Sequence, residues 1–393
     1  MKVGIFHPNL LRGGSEAAAM WGCEALKSDH EVTLVTLGDV DLEALNQFYG
    51  TSIKRNEVAI RRPVFLPSCI RNMKVADAIR VYLFHRFARN VAADFDVLVS
   101  AYNPVDFGVP GIHFIGDFTW DPALRDEFDP PPPGATKGIH SRSWLRKAYL
   151  WLARLLGNPS GRDLFAGDDE IVANSRWSAR LLEDRYGIRS SVVYPPVLGE
   201  FPEVSSAERE FGAVCIGRIS PEKRIDRVID IVKGVRERGH PLHLHIIGDA
   251  TGSEYGEQIM ARATGEGDWV TMEGSCHGER KARLLAEHLI GLQAREHEPF
   301  GISVAEMVKA GCLTFVHDSG GQTEIVDHPD LCYESVEDAV EKICWVLEDK
   351  KLQSELQEHL VTRATRFSSA QFMQEVQSVV KSFLEKSAEK DGS

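Results

Sequence analysis

The feature that most constrains the fold of this chain is a strand–loop–helix rhythm that runs through its 393 residues. Short apolar runs such as KVGIF, EVTLV and LHLHII alternate with longer segments of helical character. Continuous apolar strands separated by helices are typical of parallel βαβ units, in which helices cover both faces of the sheet. The sequence therefore predicts an α/β fold with doubly wound parallel sheets.

The rhythm is interrupted once, by the polar stretch LGEFPEVSSAERE, and then starts again. A chain of this length exceeds one ordinary hydrophobic core. We therefore expect a Rossmann-like N-terminal domain over residues 1–197 and a Rossmann-like C-terminal domain over 198–370. One helical stretch, roughly 352–386, is expected to cross back, so that 371–393 forms a C-terminal helix with a frayed tail.

Composition excludes several classes of protein. A net charge of −13 argues against general nucleic-acid binding. No apolar run is long enough to predict a membrane span. The seven cysteines are scattered and form no CxxC pair, which favours reduced thiols in the cytoplasm and argues against a structural zinc site.

Four predicted strand ends carry residues suited to phosphates or sugars, and open α/β sheets bind ligands at the carboxyl ends of their strands. The first is FHPNLLRGGSEAA, in which Gly13 and Gly14 precede a helix and allow close approach of an anion. An ordinary turn with Ser15 as N-cap explains the same residues. The motif matches neither GxGxxG nor the P-loop, so dehydrogenases and P-loop NTPases lose support.

The other three strand ends lie in the second half of the chain. In CIGRISPEKRID, Arg218 and Lys223 are suited to clamp a diphosphate, although a solvated basic loop is the alternative. In EHEPFGISVAE, Glu298 and Glu306 are separated by seven residues, and acids near a helix start are the plainer explanation. HDSGGQTEIV repeats the pattern of strand, Gly-Gly and helix start.

As a set, GRISPEKRID, EPFGISVAEMVKAG and DSGGQTEIV resemble the donor-site motifs of glycosyltransferase family 4, which are retaining nucleotide-sugar enzymes. The resemblance covers most of residues 1–330. It implies the GT-B fold, with two Rossmann-like domains facing a cleft. With GIHFIGD and YPPV, the set is most similar to mannosyltransferases of lipid-linked oligosaccharide or polysaccharide assembly.

The resemblance implies roles for the C-terminal residues. Arg218 and Lys223 would hold the donor diphosphate and stabilise its charge as the bond to the sugar breaks. Glu306 would accept hydrogen bonds from the ribose, and Glu298 would contact the transferred sugar. The backbone amides nearby belong to Phe300, Gly301 and Ile302.

The resemblance also implies two roles in the N-terminal domain. Gly13 and Gly14 would close over the donor phosphates, and His113 matches a histidine near the reacting sugar. A histidine satisfied at a strand end is the alternative for His113.

The implied reaction is transfer of a hexose, mannose by preference, from a nucleotide sugar to a glycan or lipid-linked acceptor. GDP-mannose is the preferred donor, and transfer from a UDP-sugar to a small-molecule or polysaccharide acceptor is the alternative. No metal is expected, because two cations and helix N-termini supply positive potential. The DxD-like pairs Asp39/Asp41 and Asp94/Asp96 do not follow strands, so we interpret them as turn residues. A nucleotide-sugar epimerase or phosphorylase, and a non-catalytic binding module, remain alternatives.

Residues 137–162 form a basic segment in an acidic chain, with SWLRKAYLWLARLLG at its centre. Basic charge with interfacial aromatics suits a helix on an anionic membrane surface. A partly buried helix or a subunit contact is the alternative. The prediction is a cytoplasmic enzyme that contacts the membrane peripherally.

Overall fold

The computed structural model describes residues 1–11, 13–63, 77–129, 143–162, 165, 168–205 and 208–391. The chain divides into two compact units: unit 1 is Met1–Pro196 with Ser369–Ser393, and unit 2 is Val197–Ser368. The sequence predicts boundaries at 197/198 and 370/371.

Unit 1 begins with alternating strands and helices. Its strands are β1 (Lys2–Phe6), β2 (Glu31–Val35), β3 (Val58–Arg61), β4 (Val97–Ser100), β5 (Ile112–Ile115), β6 (Glu170–Ala173) and β7 (Ser191–Val192). Its helices are α1 (Gly14–Leu26), α2 (Leu42–Tyr49), α3 (Asp77–Ala92), α4 (Pro122–Phe128), α5 (Ser143–Gly157), α6 (Arg176–Tyr186) and, from the end of the chain, α14 (Ser369–Asp391).

The strands of unit 1 form one parallel sheet in the order β3-β2-β1-β4-β5-β6-β7. The strand order reverses between β1 and β4, and such a reversal opens a crevice outside the carboxyl ends of the two strands. Phe6, Phe84 and Phe107 are buried beside this reversal, in edge-to-face contact around Phe6.

Unit 2 repeats the arrangement. Its strands are β8 (Glu210–Ile216), β9 (His243–Ile247), β10 (Val270–Gly274), β11 (His288–Gln293), β12 (Leu313–His317) and β13 (Cys332–Tyr333). Its helices are α7 (Ile225–Glu237), α8 (Glu254–Glu266), α9 (Gly278–Glu287), α10 (Ile302–Lys309), α11 (Thr323–Val326), α12 (Val336–Glu348) and α13 (Lys350–Ala364).

The sheet of unit 2 is also parallel, in the order β10-β9-β8-β11-β12-β13. Here the strand order reverses between β8 and β11. The expected ligand crevice of this unit therefore lies outside the carboxyl ends of those two strands. Two Rossmann-like parallel sheets confirm the fold class predicted from the sequence.

The helical stretch predicted over roughly 352–386 is not one helix. Helix α13 ends at Ala364, a 3-10 turn follows over Thr365–Phe367, and Ser368 is extended before α14 begins. Phe367 is buried against Phe300, with ring centroids 5.6 Å apart. Burying this ring in unit 2 explains why the helix is interrupted there.

Helix α14 then packs on unit 1. Gln377 donates from Nε2 to the carbonyl oxygen of Ala25 at 2.7 Å, and Lys386 pairs with Glu170 at 2.7 Å. Phe372 and Val376 are buried on the same helix. In the part of the chain that the structure describes, no helix is both long and apolar enough to span a bilayer.

Candidate functional site

Two basic residues leave the carboxyl end of β8, at the strand reversal of unit 2. Gly217 and Arg218 follow the strand, and Lys223 ends a short 3-10 turn over Pro221–Lys223. The strand end is tightly built, since a Cβ on Gly248 would lie 2.1 Å from the carbonyl oxygen of Gly217. The loop therefore starts from a fixed position at the crevice.

Lys223 forms a buried ion pair with Glu298, which follows β11. Lys223 Nζ lies 2.5 Å from Glu298 Oε2, and the two side chains are 12% and 11% exposed. Burial alone would raise the pKa of Glu298, but Lys223 and then Arg295 bring it below its usual value. Glu298 is therefore ionised at neutral pH and paired with the predicted phosphate-binding lysine.

The Gly-Gly loop after β12 fixes the position of Glu298. Gly321 donates its backbone N–H to the carbonyl oxygen of Glu298 at 2.8 Å, and Glu298 forms an isolated parallel bridge with Gly320. Gly320 has a φ of +79°, and a Cβ there would lie 2.4 Å from Glu298 O. The predicted motif DSGGQTEIV therefore supports the glutamate by backbone contact.

Additional charged residues, not predicted from the sequence, surround this pair. Arg295 Nη1 lies 3.4 Å from Glu298 Oε1. Glu296 pairs with Arg224 at 3.3 Å and with Arg227 at 2.5 Å. These residues adjoin the motifs in the sequence, in EKRIDR and REHEP, but the pairing of Glu296 with Arg224 and Arg227 depends on the adjacency of β8 and β11.

Arg218 differs from Lys223 in exposure. Its side chain is 78% exposed, and its Nη2 lies 3.3 Å from Glu222 Oε1. An exposed guanidinium beside a buried lysine offers two donors of positive charge to an approaching anion. A diphosphate or another doubly charged oxyanion suits such a pair.

Glu306 lies on the fifth residue of α10, with its side chain 11% exposed. Lys281 from α9 donates from Nζ to Glu306 Oε1 at 2.8 Å. The structure thus gives both glutamates of the E-x7-E motif a lysine partner. The second oxygen of Glu306 is suited to accept hydrogen bonds from a ligand hydroxyl pair.

The chain turns sharply before α10. Gly301 is the N-cap, with a φ of +105°, and Ile302 is the first helical residue. Phe300 turns its side chain inward, where it is 2% exposed. The amino end of α10, with its partial positive charge, therefore follows Glu298 directly.

In unit 1, Gly13 and Gly14 lie at the amino end of α1. Gly13 is the N-cap, so the alternative in which Ser15 caps the helix is wrong; Ser15 donates instead to the Glu16 carboxylate at 2.9 Å. The Gly13 N–H donates to the Tyr49 hydroxyl at 2.8 Å. A phosphate at this loop would therefore have to use amides other than that of Gly13.

His113, predicted from the resemblance to lie near the reacting sugar, is buried in unit 1. It is the second residue of β5, it is 1% exposed, and its ring stacks on Phe107 with centroids 5.2 Å apart. Its Nδ1 accepts from the Val105 N–H at 3.3 Å, and its Nε2 lies 3.3 Å from Asp169 Oδ1. These contacts match the alternative of a satisfied histidine.

The DxD-like acids have local partners. Asp41 caps α2 by accepting from the Ala44 N–H, and Asp39 pairs with Arg62. Asp94 pairs with Arg61 at 2.6 Å, and Asp96 accepts from the Lys2 N–H at 2.8 Å. All four are thus engaged as turn and loop residues of unit 1.

Two units, each built on one parallel Rossmann-like sheet, are the architecture of the GT-B fold. Residues 200–366 match the family model of glycosyl transferases group 1. The match lies within unit 2, which is therefore similar to that family. The resemblance drawn from the motifs is confirmed at this level.

Two curated relatives carry the same enzyme name. The human GDP-Man:Man(3)GlcNAc(2)-PP-Dol alpha-1,2-mannosyltransferase is 22% identical over 95% of this chain and 85% of its own length. The enzyme of the same name from Eremothecium gossypii is 29% identical, over 40% of this chain and 30% of its own length. The second match thus spans under a third of that relative.

Solved structures share the fold. Anabaena Alr3699/HepE, in complex with UDP and glucose, superposes with a TM-score of 0.66 at 16% identity, over 97% of this chain and 100% of that one. Sucrose-phosphate synthase from Thermosynechococcus elongatus reaches a TM-score of 0.71 at 13% identity, over 98% and 99%. At these identities the likeness concerns the fold alone.

Proposed function

We propose that the protein is a retaining, family 4 mannosyltransferase that moves mannose from GDP-mannose to a lipid-linked glycan at a membrane surface. The observation that carries the proposal is the buried Lys223–Glu298 pair beside exposed Arg218, at the strand reversal of unit 2. The names of the curated relatives support GDP-mannose as donor and a lipid-linked acceptor.

The chemistry of transfer explains the residue types. The bond between the sugar's anomeric carbon and the diphosphate oxygen breaks, the acceptor hydroxyl oxygen forms the new bond to that carbon, and the acceptor's proton passes to the departing diphosphate. Negative charge grows on the departing diphosphate, where Arg218 and Lys223 would stabilise it. Preorganised charge of this kind is worth about 10²–10³ in rate for each group.

In this proposal the transfer step requires no metal. The basic side chains around the crevice outnumber its carboxylates, since Arg218, Lys223, Arg224, Arg227 and Arg295 face Glu222, Glu296 and Glu298. That excess charge, with the amino end of α10, substitutes for the cation that other nucleotide-sugar enzymes use to neutralise a diphosphate. Addition of EDTA should therefore leave the rate unchanged.

Glu298 and Glu306 divide the donor between them in this proposal. Glu298 would orient the sugar hydroxyls, and Glu306 would accept from the ribose. Each carboxylate is already held by a lysine, at 2.5 and 2.8 Å, so the rotamer needed for binding is set before the ligand arrives. Preorganisation of this kind reduces the entropy lost on binding.

The test is a donor panel with and without acceptor. We expect GDP release from GDP-mannose to depend on a lipid-linked oligosaccharide, and the product to keep the α-anomeric configuration by NMR. Turnover of a UDP-sugar instead would favour the second candidate donor, which the UDP-bound Anabaena structure supports. Conversion of the sugar without acceptor indicates an epimerase, cleavage that requires phosphate indicates a phosphorylase, and binding without turnover indicates a binding module.

Membrane contact through α5 forms part of the proposal. Trp144, Trp151 and Leu155 are 67%, 65% and 59% exposed, and their spacing puts them on one face of the helix. Ala153, on the opposite face, is fully buried. An aromatic and aliphatic stripe turned to solvent is typical of an interfacial helix.

The charge around the stripe favours an anionic lipid surface. Lys147 and Arg154 are exposed on α5 and lie along one side of the apolar stripe. Arg162 also belongs to the basic segment, but its side chain pairs with buried Asp169 at 2.9 Å. The predicted contributions of residues 137–142 lie outside the described residues.

Vesicle sedimentation tests the contact. The protein should pellet with vesicles of phosphatidylcholine and phosphatidylglycerol, and less with phosphatidylcholine alone. The variant Trp144→Ser/Trp151→Ser should lose binding, whereas Trp345→Ser should keep it, because Trp345 is 49% exposed on a helix of unit 2. Equal binding by both variants would remove α5 from the proposal.

A further inference from the structure

Three histidines of unit 2 converge at the amino ends of neighbouring strands. His243 and His245 share one face of β9, and His288 begins β11. One ring nitrogen from each of the three lies within 4.8 Å of the others. The ring centroids are 4.6 to 5.2 Å apart.

The strand between them is built to admit these rings. Gly212 of β8 pairs in register with His243, and a Cβ at Gly212 would lie 2.2 Å from His243 Nε2. Any side chain at this position would displace the imidazole. The missing side chain of β8 thus lets rings from β9 and β11 meet across it.

A carboxylate completes the group. Glu210, at the start of β8, puts Oε2 3.0 Å from His243 Nε2 and 3.9 Å from His288 Nε2. Among the described residues, none has hydrogen-bonding geometry toward the buried Nε2 of His288. A buried polar atom without a partner is costly, so this nitrogen calls for a ligand.

Contacts behind the imidazole rings orient them as the rings of metal-bound histidines are oriented. His288 Nδ1 lies 2.6 Å from the Leu284 carbonyl oxygen, which requires a proton on Nδ1 and leaves the Nε2 lone pair for a ligand. His245 Nδ1 lies 2.8 Å from Glu273, which Arg280 holds at 2.5 Å. A carbonyl or carboxylate behind each imidazole is the usual outer shell of a metal-bound histidine.

We propose that His243, His245, His288 and Glu210 bind one Zn²⁺ ion. Three imidazoles and one carboxylate match the nitrogen and oxygen ligands of four-coordinate zinc. A zinc–ligand distance of about 2.0–2.1 Å requires donors closer than 4.8 Å, so the side chains must draw together. Three of them can do so, because His243, His245 and Glu210 are 31%, 22% and 51% exposed.

The proposed ion is structural and does not act in transfer. The ligands lie at the amino ends of β8, β9 and β11, whereas Arg218 and Glu298 follow carboxyl ends of the same sheet. The ion would tie the three central strands together at the edge away from the crevice. The scattered cysteines argued against a structural zinc site, but the proposed ligands are three histidines and a glutamate and include no cysteine.

Binding is tested on the full-length protein after removal of metals with EDTA. Competition with a chromophoric zinc indicator should give one tightly bound Zn²⁺ per chain, and Zn²⁺ should raise Tm. The variant His243→Gln/His245→Gln should lose both effects, and Glu273→Gln should weaken binding about 10–100-fold. His240→Gln is the matched control, because His240 pairs with Glu348 and leaves the site intact.

Substitution with Co²⁺ reports the geometry without relying on activity. Intense visible absorption, typical of four-coordinate cobalt, is expected for the wild type and should be absent from the double variant. No stoichiometric zinc, equal affinity in wild type and double variant, or a six-coordinate cobalt spectrum would each overturn the proposal. A loss of donor turnover on zinc removal, with the fold intact, would overturn the structural role.

Discussion

Replacing Lys223 with methionine tests the buried pair most directly. The change keeps an unbranched apolar stem but removes the ammonium 2.5 Å from Glu298 Oε2. Removing one partner of a buried ion pair typically costs about 3–5 kcal/mol, because a charge remains without compensation. Arg295 stays 3.4 Å from the other carboxylate oxygen. We therefore expect a loss near the lower end, about 3 kcal/mol of unfolding free energy.

The dependence on pH has a definite sign. In the wild type the folded-state pKa of Glu298 lies below its usual value, so its contribution is present at neutral pH and is lost as pH falls through the folded pKa. Without Lys223, burial dominates and the pKa moves upward. Protonation of Glu298 in mild acid then removes the uncompensated charge from the variant. The difference in stability should be largest near about pH 7 and shrink toward about pH 4.

Urea unfolding at both pH values measures the effect, and Lys233→Met is the matched control. Lys233 pairs with Glu266 at 3.1 Å but is 47% exposed, so its loss should cost about 0–1 kcal/mol. Donor turnover by folded Lys223→Met should fall about 10²–10³-fold. A destabilisation equal at both pH values, or unchanged turnover, would refute the reasoning.

Three further substitutions test the supporting contacts. Gly320→Ala should lower the free energy of unfolding by about 2–3 kcal/mol or more, because φ is +79° and a Cβ would strike the Glu298 backbone. Gly252→Ala is the control: its φ is +76° but the space around it is open, so the loss in the same urea titration should be only about 1 kcal/mol. Glu306→Gln should weaken GDP binding about 10–100-fold by calorimetry, and unchanged affinity would exclude it from the nucleotide site. Asp169→Ala removes the buried partner of His113, so it should lower the free energy of unfolding by about 3 kcal/mol and leave donor affinity unchanged. A selective loss of turnover would instead support a catalytic role for His113.

The sequence predicted the parts of the fold that depend on local pattern. Apolar runs of strand length, helical segments and the strand ends with Gly-Gly, Arg218 and Glu298 were all visible before the structure. The break at Ser368 was not, because helical propensity continues through it and the burial of Phe367 against Phe300 decides the outcome. A long-range contact of this kind leaves no signal in a window of neighbouring residues.

The sequence alone also could not predict which charged residues of the site pair with each other. Lys223 and Glu298 are 75 residues apart, and only the adjacency of β8 and β11 brings them together. The histidine cluster has the same origin, since its rings come from two strands separated by a third. For His113 the motif could not show its surroundings: the ring is buried and stacks on Phe107.

Arg218 and Lys223 should contribute to donor binding in different ways, although the motif contains them together. The charge of Lys223 is largely offset by Glu298 before the donor binds, whereas Arg218 is 78% exposed and only loosely paired at 3.3 Å. Arg218 therefore attracts the diphosphate from solution, and Lys223 orients the bound diphosphate. Exposed charges are screened within about 3 Å at about 1 M salt, and buried ones are screened much less. Arg218→Gln should weaken GDP binding about tenfold at low salt and little at high salt, whereas the defect of Lys223→Met should persist in both. Equal salt dependence for the two variants in calorimetric titrations would contradict this division.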